Sequence, residues 1–189
     1  MSRIILASGS PRRRELLGKL YDSFEVITSE VDETLDDGIS PLDGVEILSV
    51  RKGRAVAESL PEDCIVISSD TLVEIDGEPL GKPVSREDAY RMLRKLSGRY
   101  HNVHTGVAIH YDGRVISGVE SSRVKFKTLS DEEIYEYIDG GEPMDKAGAY
   151  AIQGEGGRFV EGYDGGFDTI MGLSVSLTAS LIERIKAND

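Results

Sequence analysis

Ile4-Ile5-Leu6-Ala7-Ser8-Gly9-Ser10-Pro11-Arg12-Arg13-Arg14-Glu15-Leu16-Leu17 is the stretch that decides the fold. The four apolar residues predict a buried strand. Ser10 is a good N-cap, and Pro11 suits the first helical position, so a helix starts there. Leu16, Leu17 and Leu20 would form its inner side. Strand, short Ser/Gly loop and helix start make an anion site, because free backbone N–H groups and the helix dipole converge there. Arg12 and Arg13 add fixed positive charge at that end. Arginines in a first turn oppose the dipole, at a cost of about 0.3–1 kcal/mol each. A local rule broken in this way points to a functional site.

The rest of the chain continues the alternation of strands and helices. Phe24–Thr28 predicts a second strand, and a helix is expected from Asp43 to Leu60 with Val45, Leu48, Ala55 and Val56 on one face. Cys64–Ile67 reads as a buried strand. Asp76-Gly77 and Asp112-Gly113 predict tight turns between strands, the second joining Val103–Tyr111 to Val115–Phe126. Ser85 with Asp88 resembles a capping box for a helix ending near Gly98. Ser130 with Glu133 caps another helix, with Ile134, Tyr137 and Ile138 inward and Gly140-Gly141 as its stop. Residues 154–168 are glycine-rich and predict turns and a hairpin. A last helix carries Leu177, Leu181, Ile182 and Ile185. The pattern is a mixed α/β (α+β) protein with a twisted central sheet flanked by helices in two lobes.

Composition narrows the function. The 189 residues carry 22 basic and 34 acidic side chains, a net charge of −12. This argues against nucleic acid or an anionic membrane as partner. A polyanion would have to be met by locally concentrated positive charge, for which Arg12, Arg13, Lys52 and Lys82 are candidates. The single cysteine, Cys64, can form neither an intrachain disulfide nor a thiolate zinc site and reads as a buried, inert thiol. The first residues lead directly into a strand, and no run of about 18 apolar residues occurs. The cytoplasm is therefore the expected location.

Two positions stand out chemically, Asp70 and Lys52. Asp70 is expected just after the strand at 64–68, beyond a strand's carboxyl end, where ligands bind in open α/β sheets. It could bind Mg²⁺, accept a proton from water, or serve as a turn residue. Lys52 falls on the apolar face of its helix, where it either snorkels or meets an anion. Arg51 and Arg54 lie off that stripe and are expected to be solvated. Glu33 and Lys82 sit in loops, where such side chains are ordinarily solvated. His104 and His110 share a strand face while His101 points the other way, which is poor geometry for a metal site, so all three read as structural.

These motifs resemble the Maf (septum-formation) family of nucleoside triphosphate pyrophosphatases. The match comprises Ser8–Leu17, Glu33, the Lys52 region, Ser69-Asp70-Thr71, Gly81-Lys82-Pro83, Val103-His104-Thr105-Gly106 and Asp145–Gly154, in family order and spacing. The resemblance implies one Maf domain over residues 1–189, with the inosine triphosphate pyrophosphatase-like fold and substrate between its lobes. It also implies Mg²⁺ or another divalent cation held by Glu33 and Asp70, and a homodimer. Asp70, Lys52 and Lys82 would be catalytic, and Ser8, Ser10, Arg12, Arg13, Thr71 and Gln153 would contact substrate. A triphosphate carries about four negative charges, and each opposite charge at ~4 Å is worth about 4 kcal/mol at an effective dielectric of ~20 before desolvation. Water oriented by Asp70 would attack the α-phosphorus, giving a monophosphate and pyrophosphate.

Arg12 and Arg13, Thr71 and Gln153 resemble the family's dTTP/UTP branch, with CTP and modified pyrimidine triphosphates as further candidate substrates. A glutamine amide both donates to and accepts from the O4 and N3–H edge of a pyrimidine. A 7-methyl-GTP-type pyrophosphatase and a non-catalytic nucleotide-binding regulator of division are the alternatives. Asp168 and Ser174 depart from the family's usual residues. Gly53, inside a predicted helix, costs roughly 1 kcal/mol relative to Ala and suggests close backbone approach.

Overall fold

The computed structural model describes residues 2–28 and 30–187. It contains a seven-stranded sheet flanked by helices. The strands are β1 (Ile4–Leu6), β2 (Glu25–Val26), β3 (Ile65–Ile75), β4 (Glu78–Leu80), β5 (Tyr100–Tyr111), β6 (Arg114–Phe126) and β7 (Val160–Asp164). Their order is β2-β1-β3-β5-β6-β7, with β4 paired to β3 off this path. β1 is parallel to β2 and β3, whereas β3–β4 and β6–β7 are antiparallel. The helices are α1 (Pro11–Leu17), α2 (Pro41–Ala57), α3 (Arg86–Leu96), α4 (Asp131–Asp139), α5 (Phe167–Met171) and α6 (Val175–Lys186).

The chain divides into two compact units, and β3, β5 and β6 each contribute residues to both. The first comprises residues 1–71, 105–120 and 172–189. Strand β1 and the start of β3 are buried on both faces, which explains the apolar runs Ile4–Leu6 and Ile65–Ile67. Ile5, Ala7, Cys64 and Val66 pack with Val56 of α2. Two glycines set how closely α2 lies on the sheet. A Cβ at Gly53 would stand 2.4 Å from Ser68 Oγ and 2.6 Å from the His110 ring, and one at Gly106 would stand 2.4 Å from the Val45 carbonyl oxygen. The close approach suggested for Gly53 is thus present.

The second unit comprises residues 72–104 and 121–171. Val73, Leu80, Leu93, Val124, Phe126, Ile134, Tyr137 and Phe159 belong to its core. Asp76 and Asp112 have φ of 57° and 53°, followed by Gly77 at 78° and Gly113 at 67°. These are the left-handed pairs that two-residue hairpin turns require.

Several element bounds differ from the sequence expectations. α2 begins at Pro41 behind the Ser40 cap, which accepts from Asp43 N at 3.1 Å, and it ends at Ala57. β2 is confined to two residues. The reciprocal capping box forms at Ser130/Glu133. At Ser85 only half of it forms, because the Asp88 carboxylate accepts from Val84 N. The hairpin expected within 154–168 is absent: Glu155–Phe159 is a 3-10 turn, β7 pairs with β6, and α5 follows. Ser174, at the departure from the family pattern, caps α6 by accepting from Leu177 N.

Candidate active site

The parallel ladder between β1 and β3 ends at Leu6 and Ile67, extended by Ala7 N donating to the Ile67 carbonyl at 2.8 Å. Asp70 lies three residues further along. It does not follow the strand, as the sequence suggested, but sits inside β3, which runs on to Ile75. The polar run Ser68-Ser69-Asp70 stays extended because its hydroxyls find buried carbonyls. Ser68 Oγ donates to Ser49 O at 2.7 Å, and Ser69 Oγ donates to Gly172 O at 2.8 Å. Asp70 remains placed past the carboxyl end of the parallel strands, where substrate sites occur.

Lys52 reaches from the buried side of α2 to this carboxylate. Its Nζ lies 2.5 Å from Asp70 Oδ1 and 2.9 Å from Glu33 Oε1. Of the two outcomes open to a lysine on the apolar face, the structure shows the ion-paired one. Asp70 is almost fully buried, whereas Glu33 is largely exposed. The Asp70–Lys52 pair is therefore held in low dielectric, where losing one partner costs far more than losing a surface pair. Arg51 is not merely solvated. Its guanidinium donates to the carbonyls of Asp32 and Thr34, the latter at 2.9 Å, and so clamps the loop on both sides of Glu33.

Arg13 forms the second part of the cluster. Nε donates to Gly172 O at 2.9 Å, and its terminal nitrogens donate to Ser8 Oγ and Thr71 Oγ1, each at 3.3 Å. Thr71 Oγ1 also meets Thr105 Oγ1 at 3.0 Å. Burial pushes the Arg13 pKa down, and Asp70 opposes that shift. The Gly172 carbonyl thus receives both Arg13 and Ser69. Gly172 has φ of 115°, a conformation that favours glycine. The Ser10 cap contact to Arg13 N is long, at 3.5 Å. Arg12 is half-buried and has no hydrogen bond or ion pair among the described residues.

Two groups, Arg13–Ser8–Thr71 and Asp70–Lys52–Glu33, thus lie in the first unit and adjoin along the chain at Asp70-Thr71. Sequence reasoning had not assigned roles to Arg51, Gly172, Thr105 or Ser69. Their signal is weak, because a carbonyl acceptor leaves no trace in residue type.

Lys82 and Gln153 belong to the second unit, and both are exposed. The loop of Lys82 is anchored where Gly148 N donates to Gly81 O at 3.0 Å. Next to it, Gly148 and Ala149 both have positive φ, 67° and 61°, and for the buried Ala149 this is strained backbone. The Gln153 loop wraps around Glu142, whose carboxylate accepts from Tyr137 Oη at 2.5 Å, Glu155 N at 3.0 Å and Gly156 N at 2.9 Å. A Cβ at Gly154 would collide with that carboxylate. This accounts for the glycine-rich composition.

The histidines have partners of their own. His101 Nε2 meets Tyr150 Oη at 2.8 Å, His104 Nδ1 meets Ser121 Oγ at 2.7 Å, and His110 Nε2 meets Val50 O at 3.2 Å. Burial pushes His101 down to about 4. No group of three His, Cys, Asp or Glu side chains suited to a metal occurs among the described residues. Nor is any described helix long and apolar enough to cross a membrane.

The family model for Maf-like proteins matches residues 3–185. The chain belongs to the Maf family. A dTTP/UTP pyrophosphatase of Pelotomaculum thermopropionicum is 44% identical over 190 residues, covering 100% of this chain and 99% of its own. One of Bacillus velezensis is 47% identical over 176 residues, covering 93% of each chain. Among solved structures, the Staphylococcus aureus Ham1 protein matches with TM-score 0.52 at 16% identity over 98% of this chain and 96% of its own. A HAM1 protein of Coxiella burnetii matches with TM-score 0.50 at 13% identity over 97% and 100%. These two likenesses establish the shared fold.

Proposed function

We infer that this Maf protein hydrolyses dTTP and UTP to the nucleoside monophosphate and pyrophosphate. The observation that carries this reading is the Asp70–Lys52–Glu33 cluster just past the parallel ladder. The full-length relatives named dTTP/UTP pyrophosphatases support the substrate assignment.

Glu33 and Asp70 fit a hard divalent cation, because their oxygens converge on one positive centre, the Lys52 ammonium. Mg²⁺ is commonly held by one or two carboxylates, with phosphates and waters completing its shell. When bound, such a cation would neutralise phosphate charge. Asp70 orients water and accepts its proton as the oxygen bonds to the α-phosphorus. The α–β bridging bond breaks, and pyrophosphate leaves with the electron pair. Lys52 fixes the Asp70 carboxylate and supplies positive charge against the charge that develops. Arg12, Ser8 and Ser10 contact phosphate oxygens, while Arg13 braces Ser8 and Thr71.

The resemblance assigns Lys82 to the phosphates and Gln153 to the base, and it implies that the protein works as a cytoplasmic homodimer without nucleic acid. Thr71 limits the space beside the base.

A panel of canonical and modified nucleoside triphosphates, with and without Mg²⁺, tests the proposal. Mg²⁺-dependent pyrophosphate release, highest for dTTP or UTP, is expected. Highest release from a methylated purine would overturn the base assignment, and binding without release would overturn the enzymatic one.

A further inference from the structure

The two carboxylates read as cation ligands stand on unequal supports. Asp70 sits in the middle of β3 and is almost fully buried, so the sheet fixes its backbone. Glu33 has no such frame. Residues 30–40 belong to no helix or strand, and the Glu33 side chain is 57% exposed. Its ion pair with Lys52 is half in solvent, where such pairs are weak and do not by themselves order a loop.

Arg51 supplies the missing support. One nitrogen of its guanidinium, Nη1, donates to Asp32 O and, at 2.9 Å, to Thr34 O. These carbonyls stand on either side of Glu33, so one planar, rigid group fixes the backbone before and after it. Thr34 N closes the loop further by donating to Asp32 Oδ1 at 2.8 Å. Consecutive residues of α2 thus grip one loop residue in two ways, Arg51 through the flanking backbone and Lys52 through the carboxylate. The difference matters when a cation arrives. A cation held by Glu33 and Asp70 would compete with the Lys52 ammonium for the same oxygens, whereas the Arg51 contacts use none of them.

We propose that Arg51 is the positioning residue that holds Glu33 ready for the divalent cation, a role that rests on the reading of Glu33 as a cation ligand. Loss of an outer contact that orients a ligand typically weakens metal binding by about 10–100-fold. The sign separates this role from that of a plain surface charge. Removing a positive charge near a metal site tightens metal binding by relieving repulsion, whereas removing a positioning group loosens it.

The test is Mn²⁺ titration of the whole chain in the presence of a UTP analogue whose α–β bridge is carbon, with bound metal followed by electron paramagnetic resonance. Arg51→Met keeps the apolar stem and loses the donors. Arg54→Met removes an exposed positive charge three residues along the same helix and serves as the control. Arg51→Met is expected to weaken Mn²⁺ binding about 10–100-fold, and Arg54→Met to leave it unchanged or slightly tighter. The Mg²⁺ concentration for half-maximal pyrophosphate release should rise by the same factor in Arg51→Met, with kcat at saturating Mg²⁺ retained and the metal-free chain melting like the control. Unchanged or tighter Mn²⁺ binding in Arg51→Met would overturn the proposal. So would a metal-free chain that melts well below the control, which would make Arg51 a brace for the fold. Glu33→Gln keeps this proposal apart from the reading on which it rests. If Glu33→Gln weakens Mn²⁺ binding and Arg51→Met does not, the positioning role fails and the ligand role of Glu33 stands. If Glu33→Gln changes nothing, the ligand role fails and the proposal with it.

Discussion

The two units present their candidate functional side chains in opposite ways. In the first, Lys52 holds Glu33 and the almost fully buried Asp70, and Arg13 holds Ser8 and Thr71. In the second, Lys82 and Gln153 are exposed, on loops anchored by Gly148 on Gly81 and by Glu142 on Glu155 and Gly156. The first arrangement orders the side chains themselves. In the second, backbone contacts anchor the loops that carry them. Substitutions in the first unit should therefore affect chemistry and stability together, whereas those in the second should affect recognition alone.

The largest effect is expected from Asp70→Asn. Pyrophosphate release from UTP should fall by about 10²–10⁴-fold, the range for loss of a general base, while the chain still folds. Retained activity would dissolve the contrast between the units. Lys52→Met should be the most destabilising change, because it strands the buried Asp70 carboxylate. A loss of about 3 kcal/mol in urea unfolding is expected. Adding Asp70→Asn to that variant should recover part of the loss, and a strictly additive double variant would show that the pair is not coupled.

Gln153→Ala sharpens the other side of the comparison. It should reduce the preference for UTP over GTP by about tenfold, the scale of one lost buried hydrogen bond, while leaving stability and Mg²⁺ dependence unchanged. A fall in melting temperature would show that Gln153 braces its loop.

The last prediction concerns pH. Burial holds His101 at about 4, below its unfolded value of 6.5. Between those values the unfolded chain takes up a proton that folded His101 refuses. Stability is therefore lost as pH falls from 6.5 towards 4, by at most about 1.4 kcal/mol per pH unit from this residue. His101→Phe should flatten that slope, and an identical slope would place the effect elsewhere.

Local chemistry made much of the fold legible. Ser10-Pro11 marks the start of α1, Asp76-Gly77 and Asp112-Gly113 mark turns, and Ser130 with Glu133 marks a capping box. Lys52 was legible as a charge on an apolar stripe. What sequence left hidden depends on distant carbonyls. Ser68 and Ser69 break the apolar pattern of β3 but are satisfied by Ser49, Ala108 and Gly172. The strand therefore runs past Asp70 instead of ending before it. Arg51 looked solvated because its acceptors are backbone atoms of Asp32 and Thr34. The 3-10 turn at Glu155–Phe159 is imposed by Glu142, distant in sequence from the glycines it shapes. Lys82 and Gln153 were legible only through the family resemblance, since an exposed lysine and glutamine carry no physical signal of their own.

Hydrolysis of UTP in heavy-oxygen water, with mass analysis of both products, tests the central claim most directly. The account predicts label in the monophosphate and unlabelled pyrophosphate, from water bonding to the α-phosphorus. Label in the pyrophosphate, or release of orthophosphate instead, would contradict it.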